Sequence, residues 1–193
     1  MQQKIKAVLQ SSISVKGEIL ANDKLIDIIS HCANEITEAF KRNNRVYFCG
    51  NGGSAADAQH LAAEFSGRFY YDRPPLDSEA LHVNTSYLTA VGNDYSFDEI
   101  YARLVNAKGI KGDVLVAIST SGNSKNIIRA IEEAHLKGMI VIGFTGATGG
   151  AMKDICNYLI NVPSTDTPRI QESHITIGHI LCEIVESNLF PRS

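Results

Sequence analysis

Apolar positions follow two different periods along this chain. Over residues 1–43 they recur at steps of three and four: Ile5, Val8 and Leu9, then Leu25, Ile28, Ile29, Cys32 and Ile36. That spacing places them on one face of a helix, and Asn22-Asp23 supplies a break or cap between two segments. Roughly 40 helical residues ahead of the first strand are more than a small sheet needs as cover. The surplus apolar face predicts that segment 1–43 packs against another subunit, with packing on its own domain as the plainer alternative.

Beyond residue 43, short and nearly all-apolar runs alternate with helical patterns. Strands are predicted over residues 46–49, 79–84, 114–118, 139–144 and 158–162. A helix over about 55–66 is expected to start from a Ser54 cap, with Asp57 in its first turn. A helical stretch broken at Gly92-Asn93-Asp94 follows the second strand, and another begins near Ser96. Residues 124–137 read as an amphipathic helix with Ile127, Ile128, Ile131 and Ala134 on one side. A short helix precedes the fifth strand, and the long last helix opens with Thr167 as cap and Pro168 in its first turn. Alternating elements with apolar strands predict a parallel sheet covered on both faces. The expected architecture is one α/β domain over 1–193, a three-layer αβα sandwich with a five-stranded parallel sheet and N-terminal helices extending from its core.

Composition narrows the partners. The 193 residues are 44% hydrophobic and 20% charged, with net charge −3 and no long block of one sign. Nucleic acid is therefore a poor partner. No apolar run reaches the length that spans a bilayer, and the first 20 residues lack the compact apolar stretch of a signal peptide. Cys32, Cys49, Cys156 and Cys182 show no C-x-x-C spacing, which predicts buried free thiols in a reducing, cytoplasmic compartment.

Two loops look built for a small anion. Gly50-Asn51-Gly52-Gly53-Ser54 lets backbone approach a ligand closely. It also satisfies G-x-G-x-x-A, but the next strand ends His82-Val83-Asn84 without the acid that a dinucleotide ribose requires. Ser119-Thr120-Ser121-Gly122-Asn123-Ser124 sets four hydroxyls between a buried strand and a helix N-terminus, a place suited to phosphate. A serine-rich turn with an ordinary cap is the alternative. His60 and Glu64 share a helix face at i,i+4, which is also the spacing of a plain surface pair. Gln171 and His179 lie eight positions apart, offset by roughly 80° on the last helix, so both can face one groove. His179 among Ile177, Ile180 and Leu181 also reads as a core histidine.

Together these motifs resemble a known family. C-G-N-G-G-S at 49–54 with His60 and Glu64, V-G-N-D at 91–94, S-T-S-G-N-S at 119–124 and R-I-Q-E-x-H at 169–174 with His179 are similar, in order and spacing, to phosphoheptose isomerases. S-T-S-G-N-S alone would mark only the wider SIS (sugar isomerase) fold, a flavodoxin-like α/β class that includes pure binding modules. The resemblance implies interconversion of sedoheptulose 7-phosphate and D-glycero-D-manno-heptose 7-phosphate through an enediol, with Glu64 as base and His179 as acid. It implies one zinc per subunit on His60, Glu64, Gln171 and His179. Phosphate would sit on Ser119, Thr120, Ser121 and Ser124, and the sugar along Asn51, Gly52, Gly53, Asn93 and Asp94, with His60, Glu64 and Gln171 also facing substrate. Arg68 and Arg169 are rim candidates, and His174 reads as structural. Residues 69–77 look like a mobile loop.

The resemblance further implies a homotetramer with sites near subunit interfaces, acting on heptose destined for lipopolysaccharide or capsule. Two other readings stand beside it. A DnaA initiator-associating scaffold shares the overall pattern but has no need of a base at Glu64 and an acid at His179. An aldose–ketose isomerase for a different sugar phosphate is the nearer alternative, since the chain length of the sugar depends on pocket depth.

Overall fold

The computed structural model describes residues 1–192. Five strands form one parallel sheet in the order β2-β1-β3-β4-β5, with β1 Val46–Gly50, β2 Ser78–Ala80, β3 Val114–Ile118, β4 Ile140–Thr145 and β5 Tyr158–Asn161. Seven α-helices surround it: α1 Gln2–Leu20, α2 Asp23–Lys41, α3 Gly53–Ser66, α4 Thr85–Asp94, α5 Ala102–Lys108, α6 Lys125–Leu136 and α7 Thr167–Leu189. Every residue of β1 and β3 is buried, as expected of central strands covered on both faces.

Strand periodicity sorts the core into two layers. Val46, Phe48, Val114, Val116, Ile118 and Phe144 point to one face, against α2, α3 and α7. Tyr47, Cys49, Leu115, Ala117 and Val141 point to the other, against Val91 of α4, Val105 of α5 and Ile127 and Ile131 of α6. The predicted three-layer sandwich is thus the observed one.

Of the two N-terminal helices, only α1 extends from the core. Asn22 caps α2 by accepting from the Leu25 amide at 3.2 Å, and α2 buries Ile29, Cys32, Ile36 and Phe40 in the first layer. α1 buries only Val15 and Ile19, while Ile5, Val8, Leu9 and Ile13 remain 45–61% exposed.

Several expected boundaries move. The second strand ends at Ala80 rather than Asn84, because the Asn84 side chain accepts from the Tyr87 amide at 3.0 Å and starts α4. α4 takes in Gly92-Asn93-Asp94 as its last three residues and ends there, with Tyr95 at the cap position, so the expected break falls at the end of the motif. A 3₁₀ turn at Phe97–Glu99 precedes α5 in place of a helix starting near Ser96. Thr167 is the first residue of α7, with Asp166 at the cap position. Cys32, Cys49 and Cys182 are buried free thiols, and Cys156 is half-buried and free.

Candidate active site

β1 and β3 lie side by side, Gly50 in register with Ile118. The helices that follow them, α3 and α6, cover opposite faces of the sheet. Their connecting loops therefore part at the strands' carboxyl ends, the topological switch point where open α/β sheets bind ligands.

The glycine loop is held open from below. Gly52 adopts φ 56° and is the cap residue of α3, a conformation that a side chain would strain. Ser54, expected as the cap, is instead the buried second residue of that helix. Tyr101 donates its hydroxyl to the Gly50 carbonyl at 2.5 Å. Asn51 and Asn126 exchange side-chain hydrogen bonds at 2.9 and 2.8 Å, tying one loop to the other. Neither Tyr101 nor Asn126 stood out in the sequence, where each reads as an ordinary helical residue.

On the β3 side the hydroxyls gather as expected. Ser119 Oγ lies 3.0 Å from Ser124 Oγ and 3.4 Å from Ser121 Oγ. Ser124 begins α6 without capping it through its side chain, so the first amides of that helix keep their donors for a ligand. Ser119, Thr120, Ser124, Asn51, Ser54 and Gln171 line a cleft of about 100 Å³. Gln171 enters it from α7 and lies against Gly53, where a Cβ would collide with its amide. Ser121 lines a larger neighbouring cleft of about 280 Å³ with Thr120 and Asn123.

Glu64, His60 and His179 converge where α3 meets α7, and none of the three lines either cleft. His60 Nε2 stands 3.2 Å from Glu64 Oε1 on α3 and 3.0 Å from His179 Nε2 on α7. Their ligand atoms all lie within 4.8 Å of one another, the one such cluster among the described residues. α3 and α7 meet closely here because α7 has a glycine at the contact: a Cβ on Gly178 would fall 2.5 Å from Leu61. Asp57 sits one turn before His60 with Oδ2 buried and unpartnered; burial pushes its carboxyl up to about 6, and His60 draws it back only in part.

Two imidazoles and a carboxylate suit a zinc ion. Nitrogen and oxygen donors each about 2.0–2.2 Å from a tetrahedral zinc stand roughly 3.3 Å apart, close to the 3.0 Å between the two histidine nitrogens and the 3.2 Å from His60 Nε2 to the Glu64 carboxylate. The donor set therefore fits, with Gln171 two turns before His179 on α7.

Other expected residues lie apart. Asn93 donates to Asp94 at 2.9 Å, and both stand exposed at the end of α4, outside the lining of the small cleft. Arg68 is exposed. Arg169 is 8% exposed and is not a rim residue of this chain: it donates to the Val8 carbonyl of α1 at 2.9 Å and pairs with Glu172. His174 is structural, fully buried with Nε2–H donated to the Thr145 carbonyl at 3.1 Å.

Residues 69–77 are not free. Glu186 of α7 accepts the amides of Phe69 and Tyr70 at 2.9 and 2.8 Å and pairs with Arg73 at 2.9 Å, both partners 1% exposed. Burial pushes the Glu186 carboxyl up, but the two amides and the guanidinium outweigh it and hold it below its usual range. A lone acid on the buried face of an apolar helix, one position after Val185, was the signal in the sequence.

A 2-1-3-4-5 parallel sheet with a hydroxyl loop at its switch point and a His–Glu–His cluster between α3 and α7 defines a SIS-class sugar-phosphate protein, and residues 17–146 match the SIS domain. The chain is 53% identical over 190 residues to phosphoheptose isomerase of Aneurinibacillus thermoaerophilus, spanning 98% of this chain and 96% of that one. It is 55% identical over 186 residues to phosphoheptose isomerase 2 of Campylobacter jejuni, spanning 96% and 92%. The solved phosphoheptose isomerase of Neisseria gonorrhoeae superimposes with TM-score 0.90 at 42% identity, covering 96% of this chain and 98% of that one. The chain belongs to the phosphoheptose isomerase family.

Proposed function

We propose that this protein isomerises sedoheptulose 7-phosphate to D-glycero-D-manno-heptose 7-phosphate, the first step towards nucleotide-activated heptose for bacterial surface polysaccharide. The observation that carries the reading is the meeting of Glu64 and His179, from two helices, around His60, on the helix that starts at the glycine loop. A binding scaffold would have no use for that convergence. Among the described residues no helix is long and apolar enough to cross a membrane, and we assign the enzyme to the cytoplasm.

Ketose–aldose isomerisation moves a proton between C1 and C2 and needs a base and an acid at that edge. Glu64 takes the proton and His179 serves the neighbouring oxygen. Ser119, Thr120, Ser121 and Ser124, with the α6 amides, take the phosphate and fix the far end of the chain. Asn51, Gly52, Gly53 and Gln171 line the sugar between them. A zinc ion on His60, Glu64, Gln171 and His179 would polarise the substrate's oxygens.

Asn93 and Asp94, exposed on this chain, fit a site completed between copies. α1 supports the same idea, as does an apolar groove of about 310 Å³ between α1, α2 and α7, lined by Ile19, Ile26, Ile29, Ile177 and Ile180. We assign the 1–43 segment of this single domain to the contacts of a homotetramer.

The test is turnover of sedoheptulose 7-phosphate by purified protein with and without added zinc, with NMR of the product. Aldoheptose 7-phosphate is the expected result. No conversion by folded protein under either condition would refute the assignment.

A further inference from the structure

Arg73 and Glu186 hold more than a loop. Arg73 donates Nη2 to the Glu64 carbonyl at 2.9 Å and Nη1 to the carbonyls of Phe65, Gly67 and Pro74 at 2.8, 3.1 and 3.1 Å. Its Nε faces Glu186. The end of α3, residues 67–74 and α7 are thus fastened at one guanidinium.

A buried ion pair is weak evidence for stability by itself, since apolar side chains fill such space at lower desolvation cost. The fork geometry of arginine is different in kind: it fixes direction as well as contact. Here both ends of that fixation reach the site. Glu64 is held through its own carbonyl. The Phe69 amide is held by Glu186, and the Phe69 ring lies 5.7 Å from the His179 ring, tilted by 42°. Seven residues, about two turns, separate His179 from Glu186, so they share a face of α7.

We propose that Arg73 and Glu186 are positioning residues for the His60–Glu64–His179 cluster, with the Phe69 ring as the wedge that orients the His179 imidazole. Its catalytic consequence rests on the reading of Glu64 and His179 as base and acid. A misplacement of about 1 Å at a reacting group costs on the order of 100-fold in rate, and loss of a ligand's supporting partner costs about 10–100-fold in metal affinity.

Removing Glu186 would strip a buried guanidinium of its counter-charge and threaten the fold, so Phe69→Ala is the primary variant, with Phe69→Tyr as the ring-restoring control and Arg73→Lys as the second disruption. Circular dichroism checks folding, the visible spectrum of added Co²⁺ reports metal affinity, and steady-state rates on sedoheptulose 7-phosphate separate kcat from KM. Expected for Phe69→Ala and Arg73→Lys are about tenfold losses in kcat and in Co²⁺ affinity, with KM within about twofold, and near wild-type values for Phe69→Tyr. Folded Phe69→Ala protein with wild-type kcat and Co²⁺ affinity would overturn the proposal, as would an equal loss in Phe69→Tyr. If the wild type leaves sedoheptulose 7-phosphate unchanged, the catalytic reading fails by itself. The Co²⁺ comparison then still decides the positioning role, and a wild type inert to both substrate and Co²⁺ sinks the two together.

Discussion

His60 Nε2 and His179 Nε2 face each other at 3.0 Å across the junction of α3 and α7. With no ion between them, one ring must donate and the other accept. Both can turn lone pairs inward only onto a cation. The protein is therefore expected to bind one zinc or cobalt ion per chain. His60→Ala and His179→Ala should each weaken that binding by at least about 100-fold, read by calorimetric titration of metal-free protein. Unchanged affinity in both variants would remove the metal from this cluster.

Glu64→Gln keeps the shape of the side chain and deletes its basicity. Turnover should drop by about 10²–10⁴-fold while the circular dichroism spectrum and binding of inorganic phosphate stay as in the wild type. Substantial residual isomerisation would move the base to another residue.

The hydroxyl cluster is predicted to act on binding more than on chemistry. Ser119→Ala leaves Ser124 without its 3.0 Å partner and takes one hydroxyl from the cleft. KM for the sugar phosphate should rise about tenfold, equivalent to about 1.4 kcal/mol, with a smaller change in kcat. A fall in kcat at constant KM would argue against a phosphate site there.

His174 ties stability to pH. Burial pushes its pKa down to about 4 from an ordinary 6.5, with the Thr145 carbonyl offsetting part of that. Between those values the unfolded chain holds more protons than the folded one, so stability falls as pH drops from 6.5 towards 4. The whole interval is equivalent to about 3 kcal/mol. Urea midpoints measured across that range should decline less steeply in His174→Gln than in the wild type. Parallel declines would show that the ring is not the source.

α1 exposes Leu9 and Ile13 at 58% and 61%. If these residues join copies of the chain into the proposed tetramer, Leu9→Lys combined with Ile13→Lys should shift the mass seen by light scattering from that tetramer to smaller species. A tetramer that survives both charges would place the contacts elsewhere.

The sheet was legible because the strands buried on both faces, β1, β3 and β4, are written as continuous apolar runs. The short edge strand β2 was not: Leu81 to Asn84 continue its composition, but the Asn84 side chain turns the chain into α4. At the site, the spacing of His60, Glu64, Gln171 and His179 could put residues on shared faces, yet no periodicity could say that α3 and α7 touch. The pairing of Arg73 with Glu186 escaped for the same reason. The lone acid marks Glu186, but nothing local names a partner 113 residues away in a segment that reads as a mobile loop.

The contact of Gly178 with Leu61 has one more consequence. The separation between the two histidines depends on how deeply one helix sinks into the other as well as on the contact between their rings, and that depth is measured by a missing methyl group. The residue just before His179 thus works as a spacer of zero thickness. A side chain there would meet Leu61 and act as a shim, moving His179 away from His60 and Glu64 while leaving the chemical groups of the site unchanged.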